Sequence, residues 1–115
     1  VRLINMTAFP VVVRASDGTD TAYPPCGVAA TVLYKTVQLL NFDGIPVPIA
    51  QCGKGEILYL FPSAPETLYI VSLPVALAAY PARKDLIYPG ILAEDKPIRD
   101  AIGKVVAVTR FRAPC

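Results

Sequence analysis

Histidine is absent from this chain of 115 residues, and with it go the commonest metal ligand and the commonest general base. A zinc site and a cysteine–histidine nucleophile are thereby excluded, and no cofactor is expected. Cysteine is scarce: Cys26, Cys52 and Cys115 are odd in number and show no C-x-x-C spacing. They suggest neither a disulfide framework nor a thioredoxin-like motif, so reduced thiols in a cytosolic setting are the expectation. Charge is short as well, at 17% of residues against about 25% in an ordinary soluble domain. A net charge of +2 is too small for binding driven by phosphate neutralisation, and direct nucleic-acid binding is not expected. Long apolar runs are missing too. The stretch Thr67 to Ala82 carries no charge, but it is shorter than the roughly 20 residues of a spanning helix and Pro74 and Pro81 interrupt it. Near the start Arg2 precedes an apolar run that Asn5, Thr7 and Pro10 break. Neither membrane insertion nor export is expected.

What the chain has in abundance is apolar residues, at 54%. The length suits one domain over residues 1–115 with one core. So apolar a small surface is best accommodated when another copy or another protein covers part of it; a monomer with scattered apolar side chains is the alternative. Seven of the eleven Lys and Arg residues follow Tyr80, accompanied by Asp85, Glu94, Asp95 and Asp100. That mixture reads as a solvated face rather than a basic patch.

Twelve prolines and seven glycines punctuate the chain at short intervals, as they do where short strands meet in tight loops. Val1 to Arg14 is extended and Ser16-Asp17-Gly18 reverses it toward a strand near Thr21. Pro24-Pro25-Cys26-Gly27 ends that strand, and Val28 to Leu40 begins another. Asp43-Gly44 is the clearest tight turn, joining Val37–Phe42 to an edge strand Ile45–Ile49 that carries Pro46 and Pro48. Gly53-Lys54-Gly55 turns the chain into Glu56–Phe61, which is apolar on both faces and is assigned near the middle of a sheet. Thr67 to Val71 is the best interior strand. Ser72 begins a short helix over about 72–80, with Pro74 in its first turn and Pro81 ending it. Asp85–Tyr88, ahead of Pro89-Gly90, and Lys104–Arg112 complete the strands. In the last, Arg110 and Arg112 share one face and Thr109 and Phe111 the other. The predicted fold is mainly β, an antiparallel β-barrel or sandwich of short strands with one short α-helix.

Several constellations test poorly as chemistry. Tyr80-Pro-Ala-Arg-Lys84 has the Tyr-x-x-x-Lys spacing of short-chain dehydrogenases, but no Gly-rich fingerprint precedes it and Pro81 breaks the helix that would align the pair. Gly53-Lys54-Gly55-Glu56 fits a turn better than a phosphate loop. Glu94 and Asp95 diverge on an extended segment and read as a solvated loop rather than an acid/base pair. The chain is therefore expected not to be an enzyme. Its tyrosines, with Arg99, Arg110 and Arg112, leave two readings open. They straddle core and surface, as tyrosines usually do, or Tyr80 and the three arginines contact a partner or a nucleotide-like ligand.

Five segments carry a resemblance. They are Ile4-Asn5-Met6-Thr7, Gly44-Ile45-Pro46-Val47, Glu66 through Ala76, Arg83-Lys84-Asp85-Leu86 with Pro89-Gly90, and Gly103 through Phe111. Together they resemble a family of small uncharacterised phage- and prophage-associated proteins that open with an Ile-Asn-Leu-Thr-Pro-His-like signature. Ala8-Phe9 stand where that signature has Pro-His, so no role of its histidine carries over. The resemblance implies a phage-associated role in the virion or the host cytoplasm. Combined with the low charge, it predicts a virion component, a capsid-decoration or cement protein that binds itself or a capsid protein through apolar contacts. The alternative is an intracellular accessory protein that binds a host protein or sequesters a nucleotide-like signal.

Overall fold

Strand formation follows the turn chemistry closely. The computed structural model describes residues 1–33, 36–50 and 56–114, with backbone alone for 36–40, 42 and 48–50. Its strands are β1 (Arg2–Asn5), β2 (Val11–Arg14), β3 (Asp20–Tyr23), β4 (Thr31–Leu33), β5 (Thr36–Phe42), β6 (Ile45–Ala50), β7 (Glu56–Leu58), β8 (Thr67–Ile70), β9 (Leu86–Pro89), β10 (Ile98–Arg99), β11 (Val105–Ala107) and β12 (Phe111–Arg112). One helix, α1 (Leu73–Ala79), and a 3-10 turn at Ala93–Asp95 are added. The turn assigned to Gly53-Lys54-Gly55, together with Tyr34, Cys52 and Cys115, lies outside the described residues.

A four-stranded sheet in the order β1-β8-β9-β12 forms the centre. Its pairings β1·β8 and β8·β9 are parallel, whereas β9·β12 and the outlying pairs are antiparallel. The mixed sheet departs from a purely antiparallel design, because the connection from β8 to β9 runs through α1 and returns the chain in the same direction.

Side-chain alternation along these strands divides the core in two. Ile4, Tyr69, Val71, Leu86 and Tyr88 face a cluster completed by Met6, Ala30 and the inner side of α1 at Val75, Ala76 and Ala79. Leu3, Ile70, Ile87 and Phe111 face the opposite cluster, with Val11, Val13, Tyr23, Val105 and Val108. The second face is covered by β3-β2, whose Val13 bridges to Val108 just beyond β11, so that β10 and β11 extend the same layer. The first face is covered by α1 with the β4·β7 pair. The arrangement is β-sandwich-like, with one short helix. Burial on both sides explains why Thr67–Val71 reads as apolar at successive positions.

The helix starts after Ser72 and ends before the cap residue Tyr80, within a residue of expectation, although the Ser72 side chain makes no capping bond. At the Asp43-Gly44 turn both residues take positive φ, 51° and 81°, the geometry of a type I′ hairpin between β5 and β6. Three expectations need correction. Val1 to Arg14 is not one extended run: β1 and β2 are separated by a loop and pair in different sheets. Glu56–Phe61 is not central: β7 stops at Leu58 and pairs with β4 in a two-stranded sheet. Lys104–Arg112 is not one strand but two, β11 and β12, which pair with different partners.

The small outlying sheets leave the molecule elongated, 56 × 39 × 27 Å. Its radius of gyration is 16.6 Å, against about 13 Å for a compact domain of this length.

Tyr69 shows how the polar groups of this core are satisfied. Its ring stacks edge-on with Phe61 and lies under the Arg83 guanidinium, while its hydroxyl donates to the Pro62 carbonyl at 2.8 Å. Tyr69→Phe removes that bond and leaves the ring packing intact. It is expected to cost about 1 kcal/mol in urea denaturation, with an unchanged slope; no loss would show that water replaces the hydroxyl at Pro62.

Candidate functional site

The loop after β1, the start of α1 and the segment after β9 meet around an open groove of 470 Å³. Phe9, Pro10, Leu73, Pro74, Ile91 and Leu92 are among its lining residues, as are Asp95 and Arg112. Large apolar side chains stay exposed around it, Phe9 at 76% and Leu73, Ile91 and Leu92 near half.

The loop that carries Phe9 is built on Asn5. This side chain is 2% exposed and uses its full amide. Its Nδ2 donates to the Phe9 carbonyl at 2.9 Å and to the Tyr23 carbonyl at 2.8 Å. Its Oδ1 accepts the Thr7 N–H at 2.9 Å and the Thr7 hydroxyl at 2.6 Å, and that hydroxyl also reaches the Phe9 carbonyl. An amide is the side chain that offers two donors and an acceptor on one plane. In the Ile4-Asn5-Met6-Thr7 motif Asn5 and Thr7 thus fold the loop, while Met6 fills the core. Phe9 itself is held out into solvent.

The opposite wall is built on Asp95, which is 2% exposed. Its carboxylate accepts from Nε of Arg110 and Nε of Arg112, and from the Leu92 N–H at 3.1 Å. Its backbone carbonyl accepts the Thr109 hydroxyl at 2.6 Å. Burial pushes the Asp95 carboxyl upward, but the hydrogen bonds from Arg110, Arg112 and Leu92 outweigh it and hold the group below the ordinary 3.8. The solvated loop expected at Glu94–Asp95 is thus half correct: Glu94 is 67% exposed, while Asp95 is the buried anchor of the segment. Gly90 makes room for it, since a Cβ there would stand 2.8 Å from the Asp95 carboxyl carbon and 3.1 Å from the Arg110 carbonyl. Any side chain at 90 would displace the anchor.

Of the residues singled out in the sequence, Arg110 and Arg112 come together on Asp95, with Arg112 also pairing Glu94 at 2.9 Å. The single strand on which the sequence set them is not formed: Arg110 precedes β12 and Arg112 lies in it, and they converge because both reach Asp95. Arg99 lies elsewhere, donating to the Gly103 carbonyl at 2.8 Å, and Tyr80 is the half-exposed cap of α1. Neither lines the groove. Among the described tyrosines, Tyr88 alone lines it; Tyr23 packs edge-on against Phe111 and Tyr69 is buried. Phe9, Leu73, Ile91 and Leu92 escape a reading of the sequence, because the groove joins segments far apart in the chain. The nearest sequence signal is the large apolar residue at Phe9, between Ala8 and Pro10 in a stretch that breaks the strand pattern.

Chemically, the groove offers apolar contact beside a charge-balanced cluster of two guanidinium groups and two carboxylates. Among the described residues, no three His, Cys, Asp or Glu side chains stand together as metal ligands, and no helix is long and apolar enough to cross a membrane. No protein-family model matches this chain, and no curated protein or solved structure matches it.

Proposed function

We propose that this chain is a non-enzymatic assembly protein that acts through apolar protein–protein contacts. The observation that carries the reading is the groove: exposed Phe9, Leu73, Ile91 and Leu92 ring a 470 Å³ depression whose charged neighbours are already paired. Contiguous exposed apolar surface of this kind marks interaction sites. The elongated shape and low charge of the chain support the same reading. Its finer form is a phage-associated virion component, a capsid-decoration or cement protein, and that form rests on the resemblance carried by Ile4–Thr7 and Glu66–Ala76.

The other reading, sequestration of a nucleotide-like signal, has less to stand on. A phosphate would have to compete with Asp95 and Glu94 for Arg110 and Arg112, whose positive charge those carboxylates cancel.

Leu73→Glu tests the assembly reading with little risk to the fold. Leu73 opens α1 and is half-exposed, and a carboxylate in the first turn of a helix is favoured by the helix dipole. The variant is expected to melt within about 0.5 kcal/mol of the parent while losing most of its association with purified particles. Quantitative mass spectrometry of those particles reads the result. Absence of the parent protein from particles rejects the virion form, and equal incorporation of the variant rejects the groove as the contact.

A further inference from the structure

We infer that the outer edge of β5 is a two-fold interface, at which the β5 strands of two copies pair antiparallel and join their hairpins into one four-stranded sheet, β6-β5-β5-β6. The inference uses the backbone edge of the hairpin rather than the groove, and it does not depend on the assembly reading.

β5 and β6 form a two-stranded sheet of their own, and among the described residues no third strand pairs with either. A two-stranded ribbon is marginal in water, whereas further strands make a sheet stable in its own right. The chain treats the two outer edges of this ribbon differently. Phe42 and Ile45 flank the two-residue turn at Asp43-Gly44, where a hairpin places a hydrogen-bonded pair. Pairs with and without backbone bonds then alternate, so Leu40 and Val47 bond each other. Asn41 opposite Pro46 and Leu39 opposite Pro48 do not. The backbone groups of these four residues therefore point away from the hairpin. On β6 they belong to two prolines, which have no N–H to donate, and that edge refuses a further strand. On β5 they belong to Leu39 and Asn41, each of which presents an N–H and a C=O. Edges that must stay single ordinarily carry Lys, Pro or a bulge. β5 has a register shift between Thr36 and Gln38, and from Gln38 to Phe42 it has neither Lys nor Pro.

A second copy is the strand that closes the assembly. Antiparallel pairing of β5 with itself, centred on Leu40, sets Leu39 of each copy opposite Asn41 of the other, so both outward residues of each copy are used together. The resulting sheet has β6 at both margins, and Pro46 and Pro48 close each of them. A strand from any other protein would leave its own far edge as a new margin. Charge permits the self-pairing too, because Asp43 is the sole charged residue from Thr36 to Ala50. In the centred register the two Asp43 positions stand six residues apart along the sheet, roughly 20 Å, beyond the range of screened repulsion.

Proline at positions 39 and 41 tests the inference, since it closes β5 as β6 is closed and spares the bonds between the two strands. Sedimentation of the full chain across a concentration series compares the parent with Leu39→Pro/Asn41→Pro and with Leu39→Val/Asn41→Thr, which keeps both N–H groups and strand-favouring side chains. The parent is expected to dimerise and to go no further. The proline variant is expected to dimerise at least about a hundredfold more weakly, having lost every backbone donor across the interface, and the other variant within about tenfold of the parent. A second readout needs no proline. Leu40 faces Leu40 of the other copy in a pair without backbone bonds, with Cα atoms about 4.5 Å apart, within the span of a disulfide. On mild oxidation Leu40→Cys is expected to give a covalent dimer whose linked peptides both contain position 40. A parent that stays monomeric at every concentration overturns the inference, as do growth beyond the dimer and undiminished dimerisation of the proline variant. A dimer that Leu40→Cys links through Cys26, Cys52 or Cys115 instead, or does not link, has another interface and likewise overturns it.

Discussion

Asp95→Asn is expected to lower the melting temperature by more than about 10 °C at neutral pH, and the loss is expected to shrink as the solution is acidified. The substitution keeps the shape of the side chain and removes its charge. In the parent, that carboxylate is the common acceptor for Arg110, Arg112 and the Leu92 N–H. An asparagine amide turns two of its hydrogens toward donors and leaves two guanidinium groups beside one another with only Glu94 in compensation. The turn over residues 92–95 is thereby unfastened from Arg110 and from Arg112 in β12, and Gly90 leaves space for this one group.

The pH dependence follows from the direction of the shift. The folded-state pKa of Asp95 lies below its ordinary value of 3.8. Its contribution is therefore fully present above that value and is lost as pH falls through the lower folded-state one. Asp85, held down chiefly by the bidentate bond from Arg83, and Asp20, held down by Arg14, titrate in the same direction in parent and variant alike. Subtracting the two melting curves isolates Asp95. The gap between them is expected to be constant from pH 7 to about 5 and to narrow below about 4. A gap that stays constant far below the ordinary carboxylate range would show that the asparagine variant fails for reasons of shape rather than charge.

Legibility from sequence tracked the distance over which each feature is decided. The Asp43-Gly44 hairpin and the ends of α1 are settled within a few residues, by positive-φ chemistry and by Pro74 and Pro81. Both are therefore readable. The interior character of Thr67–Val71 is readable for a different reason, because a strand covered on both faces shows it at every position. The parallel pairing of β1 with β8 joins Arg2 to Thr67, and nothing local announces such a contact. The segment Glu56–Leu58 misleads because apolar residues on both faces suit a two-stranded pair packed under a helix as well as they suit a central strand.

The site divides in the same way. The sequence pairs Arg110 with Arg112 through a strand that does not form, and their counter-charge lies 15 and 17 residues earlier in sequence. Asp95 looks solvated in the sequence because carboxylates seldom lie buried without partners, and those partners become visible only once β12 is laid against β9. Gly90 looks like loop punctuation after Pro89; its function is close approach to Asp95. The groove itself draws on residues 7, 9–11, 71–74, 88, 89, 91, 92, 95 and 112, a set that no periodicity connects.

Asn5 carries the remaining large effect, and it links fold to site. Asn5→Ala is expected to destabilise the protein by about 2–4 kcal/mol, because it leaves the Tyr23 carbonyl and the Thr7 N–H without their partner and leaves the Phe9 carbonyl to the Thr7 hydroxyl alone. Asn5→Asp separates the donor half of the amide from the acceptor half. Aspartate still accepts from Thr7, but it sets a buried carboxylate against two carbonyl oxygens, so this variant should fall at least as far as alanine at pH 7. Those carbonyls favour the protonated acid, which raises its folded-state pKa above the unfolded one. Asn5→Asp should therefore regain part of its stability as the pH falls from 7 toward 4, the direction opposite to Asp95. Urea denaturation at both pH values distinguishes the outcomes. If aspartate matches asparagine at pH 7, the Thr7 bonds alone hold the loop. If aspartate fails and recovers in acid, the bonds to Phe9 and Tyr23 hold it, and the exposed phenyl ring at the groove owes its position to the donor half of one amide.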